Sequence, residues 1–199
     1  VLSEMASERE QLKCVFYGTS LAENIESKLV GEYNKFNIAA AVAVGRFYGI
    51  SERDRAEAVA TYEPSNNRSQ QTETEQNMLT VDCYNANPSS MAAAIENHAK
   101  LCPEKYGTKV MILGDMLELG EWSAEEHKNI VDKALATDAQ RVLLVGGNFG
   151  QTPQTDARIE RYADTASLAE VLAQKPLCGA FVLVKGSRGI GLEKVLPLL

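Results

Sequence analysis

Four short stretches of this 199-residue chain combine acids, carboxamides, glycines and cations in patterns that could do chemistry. In VDCYNANPSSM (81–91), Asp82, Tyr84, Asn85 and Asn87 follow the apolar run Met78-Leu79-Thr80-Val81. Gly114, Asp115 and Glu118 follow VMIL (110–113), and Gly146, Gly147 and Asn148 follow RVLLV (141–145). Lys185, Gly186, Ser187 and Arg188 follow FVLV (181–184). An acid and two amides at the carboxyl end of a strand could form a ligand site. KGSRGIG (185–191) offers backbone N–H groups and two cations to an anion. It is not a nucleotide P-loop, because Leu192-Glu193 stand where Lys-Ser/Thr is required after the second glycine. GGNFG (146–150) lacks the full dinucleotide fingerprint.

Each stretch also has a plain reading. Asp and Asn favour turns, Pro88 suits a helix start, and a serine after it can cap the helix. GDMLELGE can be a solvated acidic loop, and KGSRGIG a glycine-rich strand exit. Convergence argues for more than turns. If the four strands are parallel, all four polar groups lie on one rim, and open α/β sheets bind ligands at the carboxyl ends of their strands.

Three further positions stand outside that set. Asn34 and Asn37, in GEYNKFN (31–37), can meet the edges of a base or cap the helix that follows. Arg68 can bridge a phosphate between domains or stand in solvent. His98, on an apolar helix face, reads as a core histidine. His127, one turn into the helix after the acidic loop, reads as a structural residue able to hydrogen-bond that loop.

The elements that must position these groups alternate along the chain. FNIAAAVAVGRFYG (36–49) is alanine-rich and apolar on most sides, so a buried helix ending near Gly49 is expected. Ser51 caps a second helix with Ala56, Val59 and Ala60 inward. YEPSNNRSQQTETEQN (62–77) carries no convincing apolar period and is the candidate boundary or hinge. Beyond it come strands at 78–82, 110–113, 141–145 and 181–184. Helices are expected at 89–101, with Met91, Ile95, His98 and Cys102 on one face, at 123–136 and 166–173, and a short one at 190–196. Ser123 with Glu126 has capping-box spacing. Continuous apolar strands separated by helices indicate an α/β fold, with a mostly parallel sheet covered on both faces.

Composition excludes some partners. A net charge of −7 and a pI near 5 argue against nucleic acid or an anionic membrane surface. No apolar run approaches the ~20 residues of a membrane span, and the polar run from Ser3 to Lys13 is not a secretory signal. Cys14, Cys83, Cys102 and Cys178 show no CxxC or zinc spacing, which fits reduced thiols in a cytoplasmic chain. Two histidines are too few for a multi-histidine metal site.

Taken together, LVGEYNKFNIAAAVAVG (29–45), YEPSNNRSQ (62–70), DCYNANPSSM (82–91), ILGDMLELGEWSAEEH (112–127) and LVKGSRGIGLEKV (183–195) resemble the Mur ligases. The blocks stand in the family's order and cover most of residues 29–195, while residues 1–28 match poorly. DCYNANPSSM and GDMLELGE resemble the branch that joins D-alanyl-D-alanine to a UDP-N-acetylmuramoyl tripeptide in peptidoglycan precursor synthesis. The resemblance implies a cytoplasmic, monomeric enzyme of three domains. Residues 1–64 would be the helical tail of its central ATP-binding domain, and residues 65–199 its carboxy-terminal Rossmann-like domain. ATP phosphorylates the tripeptide carboxylate, and the dipeptide amine then attacks the acyl phosphate. The phosphate loop, the magnesium ligands and a modified lysine belong upstream, so this chain alone is expected to be inactive and to hold no metal.

Carried over by position, Asn34 and Asn37 lie at the adenine side of ATP, Arg68 reaches the nucleotide, and Asp82 holds the ribose hydroxyls. Asn85 and Asn87 shape the loop facing the reacting ends. Lys185, Ser187 and Arg188 contact the dipeptide or its carboxylate, and Asp115 and Glu118 order the cleft wall or orient the amine. Tyr33 departs from the His common among relatives. The alternatives are a related ligase with another amino-acid substrate and a non-catalytic nucleotide- or peptide-binding module.

Overall fold

The structure, a computed structural model, describes residues 2–8, 11, 13–29, 34–63, 70–101 and 105–199. It divides into two units, one of residues 1–28 and 32–62 and the other of residues 29–31 and 63–199. Tyr33, Arg68 and Cys102 lie outside the described residues.

The first unit is helical. It holds α1 (Leu2–Ser7), a 3-10 turn at Thr19–Ala22, α2 (Asn34–Phe47) and α3 (Glu52–Thr61). The alanine-rich sequence gives α2 its propensity, and Ile38, Ala39, Val42 and Ala43 form its buried face. The expectation of burial on most sides needs correction, because Phe36, Val44 and Phe47 on α2 and the following Tyr48 are exposed. An apolar composition fixes propensity, whereas a helix packed on one side still presents its other face outward. Ser51 caps α3 as expected, its hydroxyl accepting from the Asp54 N–H at 3.1 Å. The inward face expected of α3 is only half-buried.

The second unit is a six-stranded sheet: β1 (Gln70–Glu73), β2 (Met78–Asp82), β3 (Thr108–Gly114), β4 (Arg141–Val145), β5 (Ile159–Tyr162) and β6 (Ala180–Lys185). The order is β1-β2-β6-β3-β4-β5, with every pair parallel except β1 with β2. The helices between the strands are α4 (Pro88–Lys100), α5 (Ser123–Leu135), the single turn α6 (Gly147–Gly150) and α7 (Thr165–Gln174). Leu79, Val81, Val110, Ile112, Val182 and Val184 point to one face, against Leu168 and Leu172 of α7 and Leu192 and Val195. Met111, Leu113, Val142, Leu144 and Leu183 point to the other, against Met91 and Ile95 of α4 and Ile130 and Val131 of α5. Burial on both faces explains why these strands read as unbroken apolar runs.

β1 and β5 were hidden in the sequence. The segment taken as hinge includes β1, whose QQTE is almost wholly exposed. Its backbone still pairs with β2 in the register Gln70↔Val81 to Glu73↔Met78. An edge strand with neither face buried has no apolar alternation to read. Two caps also differ from expectation. Asn87, not a serine, caps α4, its side chain accepting from the Ser90 N–H at 2.9 Å. Ser123 caps nothing, because a 3-10 turn at Gly120–Trp122 runs straight into α5 and leaves no extended residue at the cap position.

Candidate functional site

The four polar stretches lie on one rim, because β2, β6, β3 and β4 are parallel neighbours and each ends in one of them. After β2 the chain passes to α4 on one face, whereas after β6 it passes to the turns holding Leu192 and Val195 on the other. Adjacent strands whose connections leave to opposite faces open a crevice between them.

Asp82 and Lys185 stand across that crevice as directly paired positions of β2 and β6. Lys185 is 1% exposed, and its ammonium donates to Asp82 Oδ2 at 2.6 Å and to the Asn85 carbonyl at 3.1 Å. The ion pair holds one oxygen of a carboxylate that is itself largely buried. It also fixes the loop after β2. Cys83, between them in sequence, is buried, and burial pushes its thiol up to about 11, so it stays protonated at neutral pH.

Asp115 forms a second centre. It is 3% exposed, and its two carboxylate oxygens accept from the Asn148 and Phe149 N–H groups at 2.9 and 2.8 Å. A carboxylate satisfied in this way anchors α6 to the end of β3. Gly146 must be glycine here: its φ is +122°, and a Cβ would lie 2.4 Å from the Asp115 carboxyl carbon. At Gly186 a Cβ would lie 2.9 Å from the Gly114 Cα, so two glycines let β6 and β3 meet closely.

Ser187 is buried and joins the two loops. Its hydroxyl accepts from the Leu117 N–H at 3.0 Å, and its own N–H donates to the Asp115 carbonyl at 3.2 Å. His127 Nε2 accepts from the Met116 N–H at 3.0 Å, and its Nδ1–H donates to the Ser123 carbonyl at 2.7 Å. Asn87 spends its side chain on α4. Asn85, Glu118 and Arg188 remain exposed on the rim, and the Arg188 guanidinium lies 5.3 Å from the Tyr84 ring centroid.

The remaining candidates fall elsewhere. Asn34 and Asn37 are in the first unit, where the Asn37 amide donates to Asn34 Oδ1 at 2.9 Å. His98 is a core residue, 1% exposed and stacked on Phe181 at 4.3 Å. Among the described residues no group of three or more His, Cys, Asp or Glu is placed to hold a metal ion. No helix among them is long and apolar enough to cross a membrane. The Asp82–Lys185 pair was missed as a pair, since only the strand order brings those two positions together. The nearest sequence signal was that each ends its own apolar run.

Residues 67–188 match the family model described as "Mur ligase, glutamate ligase domain". A UDP-N-acetylmuramoyl-tripeptide–D-alanyl-D-alanine ligase of Treponema pallidum (strain Nichols) is 35% identical over 181 residues, covering 88% of this chain and 39% of its own length. A crystal structure of MurF from Acinetobacter baumannii superposes with a TM-score of 0.70 at 26% identity, over 84% of this chain and 37% of that one. MurF from Thermotoga maritima in complex with ADP gives a TM-score of 0.69 at 25% identity, over 85% and 38%. The chain therefore spans somewhat under two fifths of the length of these relatives.

Proposed function

The chain belongs to the Mur ligase family, and from that premise we propose that it is the carboxy-terminal part of an ATP-dependent ligase joining D-alanyl-D-alanine to UDP-N-acetylmuramoyl-tripeptide. Relatives of that activity at 32% and 35% identity over most of the chain support the reading. The single observation that carries it onto this molecule is the rim. Asp82, Asn85 and Lys185 meet at a crevice between oppositely leaving connections, where such sheets bind ligands.

In this reading residues 1–64 are the tail of the central ATP-binding domain, and residues 65–199 are the last domain. The division at residues 62 and 63 supports that boundary. Asp82 receives the ribose of ATP. Lys185 occupies one of its oxygens and sets the direction of the other. Asn34 and Asn37 serve the adenine side, and Arg68 the nucleotide. Asn85, Glu118 and Arg188 are the rim groups open to the dipeptide, while Asn87, Asp115, Lys185 and Ser187 hold the loops that carry them. Magnesium, which the family chemistry needs, is held in this reading by ligands upstream. The activity belongs to the complete cytoplasmic protein, and this chain alone is inactive. An acyl phosphate demands that the amine be positioned and water excluded, and the rim groups of the last domain serve the first of these tasks.

The test is to supply the complete protein with ATP, magnesium and UDP-N-acetylmuramoyl-tripeptide, and to identify products by mass. A product that needs D-alanyl-D-alanine is expected. ATP consumption with a single amino acid instead would keep the ligase and replace its substrate. No ATP-dependent product would overturn the reading in favour of a binding module.

A further inference from the structure

Three successive backbone N–H groups after β3 find partners on three different elements. Asp115 N–H donates to the Val145 carbonyl of β4 at 3.0 Å. Met116 N–H donates to His127 Nε2 of α5 at 3.0 Å, and Leu117 N–H to Ser187 Oγ after β6 at 3.0 Å. Met116 is 1% exposed, so water cannot replace its acceptor. His127 is fully buried, and its ring is locked from both sides. Its Nδ1–H is held by the Ser123 carbonyl one turn back, and Phe149 packs edge-on at 4.6 Å. The bond at Nδ1 assigns the tautomer that leaves Nε2 as an acceptor.

The chain then changes character. Leu117 is 41% exposed, and Glu118 is exposed with a φ of +66°, a conformation that a side chain disfavours. Leu117 runs against Gly189, where a Cβ would lie 2.8 Å from Leu117 Cδ1. The two residues thus stand beside the loop of Arg188, on the side of the rim assigned above to the dipeptide.

We propose that His127 is a positioning residue for the amine substrate. By accepting the Met116 N–H it fixes the conformation in which Leu117 and Glu118 are presented at the rim, Leu117 to an apolar methyl and Glu118 to the ammonium or amine. The inference rests on the ligase reading, and it adds a residue that touches no substrate and two contacts that depend on it.

The experiment compares His127→Asn with His127→Gln in the complete protein. A glutamine carboxamide oxygen reaches the place of Nε2 and can still accept from Met116. An asparagine reaches only the place of Nδ1 and leaves that N–H unpaired. We expect the asparagine variant to raise the KM for D-alanyl-D-alanine about tenfold or more, with the KM for ATP within about twofold. We expect the glutamine variant to recover most of that loss. Equal rises in both KM values, identical behaviour of the two variants, or a lowered Tm with unchanged kinetics would overturn the proposal. If the wild type itself gives no dipeptide-dependent product, the ligase reading fails instead. Hydrogen exchange at the Met116 amide then decides the positioning alone: faster exchange in the asparagine variant only supports it, and equal exchange in both overturns it.

Discussion

The two ends of the sheet hold the same pair of side chains in different settings. At the carboxyl end Lys185 of β6 meets Asp82 of β2, and at the amino end Lys109 of β3 meets Asp138. Both lysines are buried, and both also donate to a backbone carbonyl, Lys185 to Asn85 and Lys109 to Ala99. The carboxylates differ: the Asp82 side chain is 15% exposed, and that of Asp138 is 63% exposed. Below, the lysine ties the end of α4 and the entry to β4 to the start of β3, and its partner faces water. Above, the pair lies in a crevice with glycines at the neighbouring strand ends. A buried lysine–carboxylate pair is therefore not in itself a sign of function. Its place on the strand decides what it can serve.

The largest expected difference between the ends is in activity. Lys185→Met keeps most of the volume but removes the partner of Asp82 and the donor to Asn85. In the complete protein kcat/KM for ATP should fall by about a hundredfold, the scale of a displaced or unpaired buried charge. Asp82→Ala should raise the KM for ATP in the same direction. If Lys185→Met leaves ATP kinetics unchanged and shifts only the dipeptide KM, Lys185 is a substrate contact and the proposed link to the nucleotide is wrong.

Glycines sharpen the contrast. Gly146, at the upper end, has a φ of +122° and would drive a Cβ into Asp115. Gly179, at the lower end, has a φ of +66° with nothing within 4 Å of its Cβ position. Gly179→Ala should cost only the left-handed backbone penalty, about 1 kcal/mol. Gly146→Ala should cost about 3 kcal/mol or more, because strain and a displaced buried carboxylate add. Urea unfolding of the two variants measures the gap, and equal costs would mean that Asp115 can move away freely.

The same contrast governs what was legible. The β2, β3, β4 and β6 strands could be read because both their faces are buried, so VMIL and RVLLV have no polar interruption. β1 could not be read, because QQTE has neither face buried, and β5 was hidden by Arg161 and Glu160 within a four-residue edge strand. The rim could be read as a set of strand-end stretches once the strands were taken as parallel. Its internal division could not. Nothing in KGSRGIG says that Lys185 faces Asp82 while Ser187 faces Leu117, since those contacts depend on β6 inserting between β2 and β3. Asn87 read as a turn residue or as part of the loop facing the reacting ends, with the cap expected of a serine, and the helix start took its side chain.

A pH test probes the lower end. Burial, with the Lys109 cation adding and Asp138 opposing, pushes His98 down to about 4. Its ordinary value is about 6.5 in an unfolded chain. Between these values the unfolded chain binds a proton that the folded one refuses. His98 therefore costs stability as pH falls from about 6.5 to about 4 and costs nothing above that window. The slope should approach about 1.4 kcal/mol per pH unit within the window. His98→Phe retains a ring against Phe181 and should flatten that slope, leaving stability at pH 7.5 almost unchanged. A slope that survives the substitution would place the acid sensitivity in another group.

Lys109→Met should have the smallest effect. Asp138 is mostly in water, so most of the ion pair is screened, and exposed pairs contribute only about 0–1 kcal/mol. The carbonyl of Ala99 loses a donor, but an apolar side chain of similar volume removes the cost of burying the ammonium. The expected change at pH 7 is within about 1 kcal/mol of zero. Activity of the complete protein should be unaffected, in contrast to Lys185→Met. The substitution should also release His98 from a neighbouring cation, so its proton returns at higher pH and the acid-sensitive window narrows from below. A loss of about 3 kcal/mol or more would show that the lower pair behaves as a buried one despite its exposed carboxylate, and exposure of Asp138 would no longer explain the difference between the two ends.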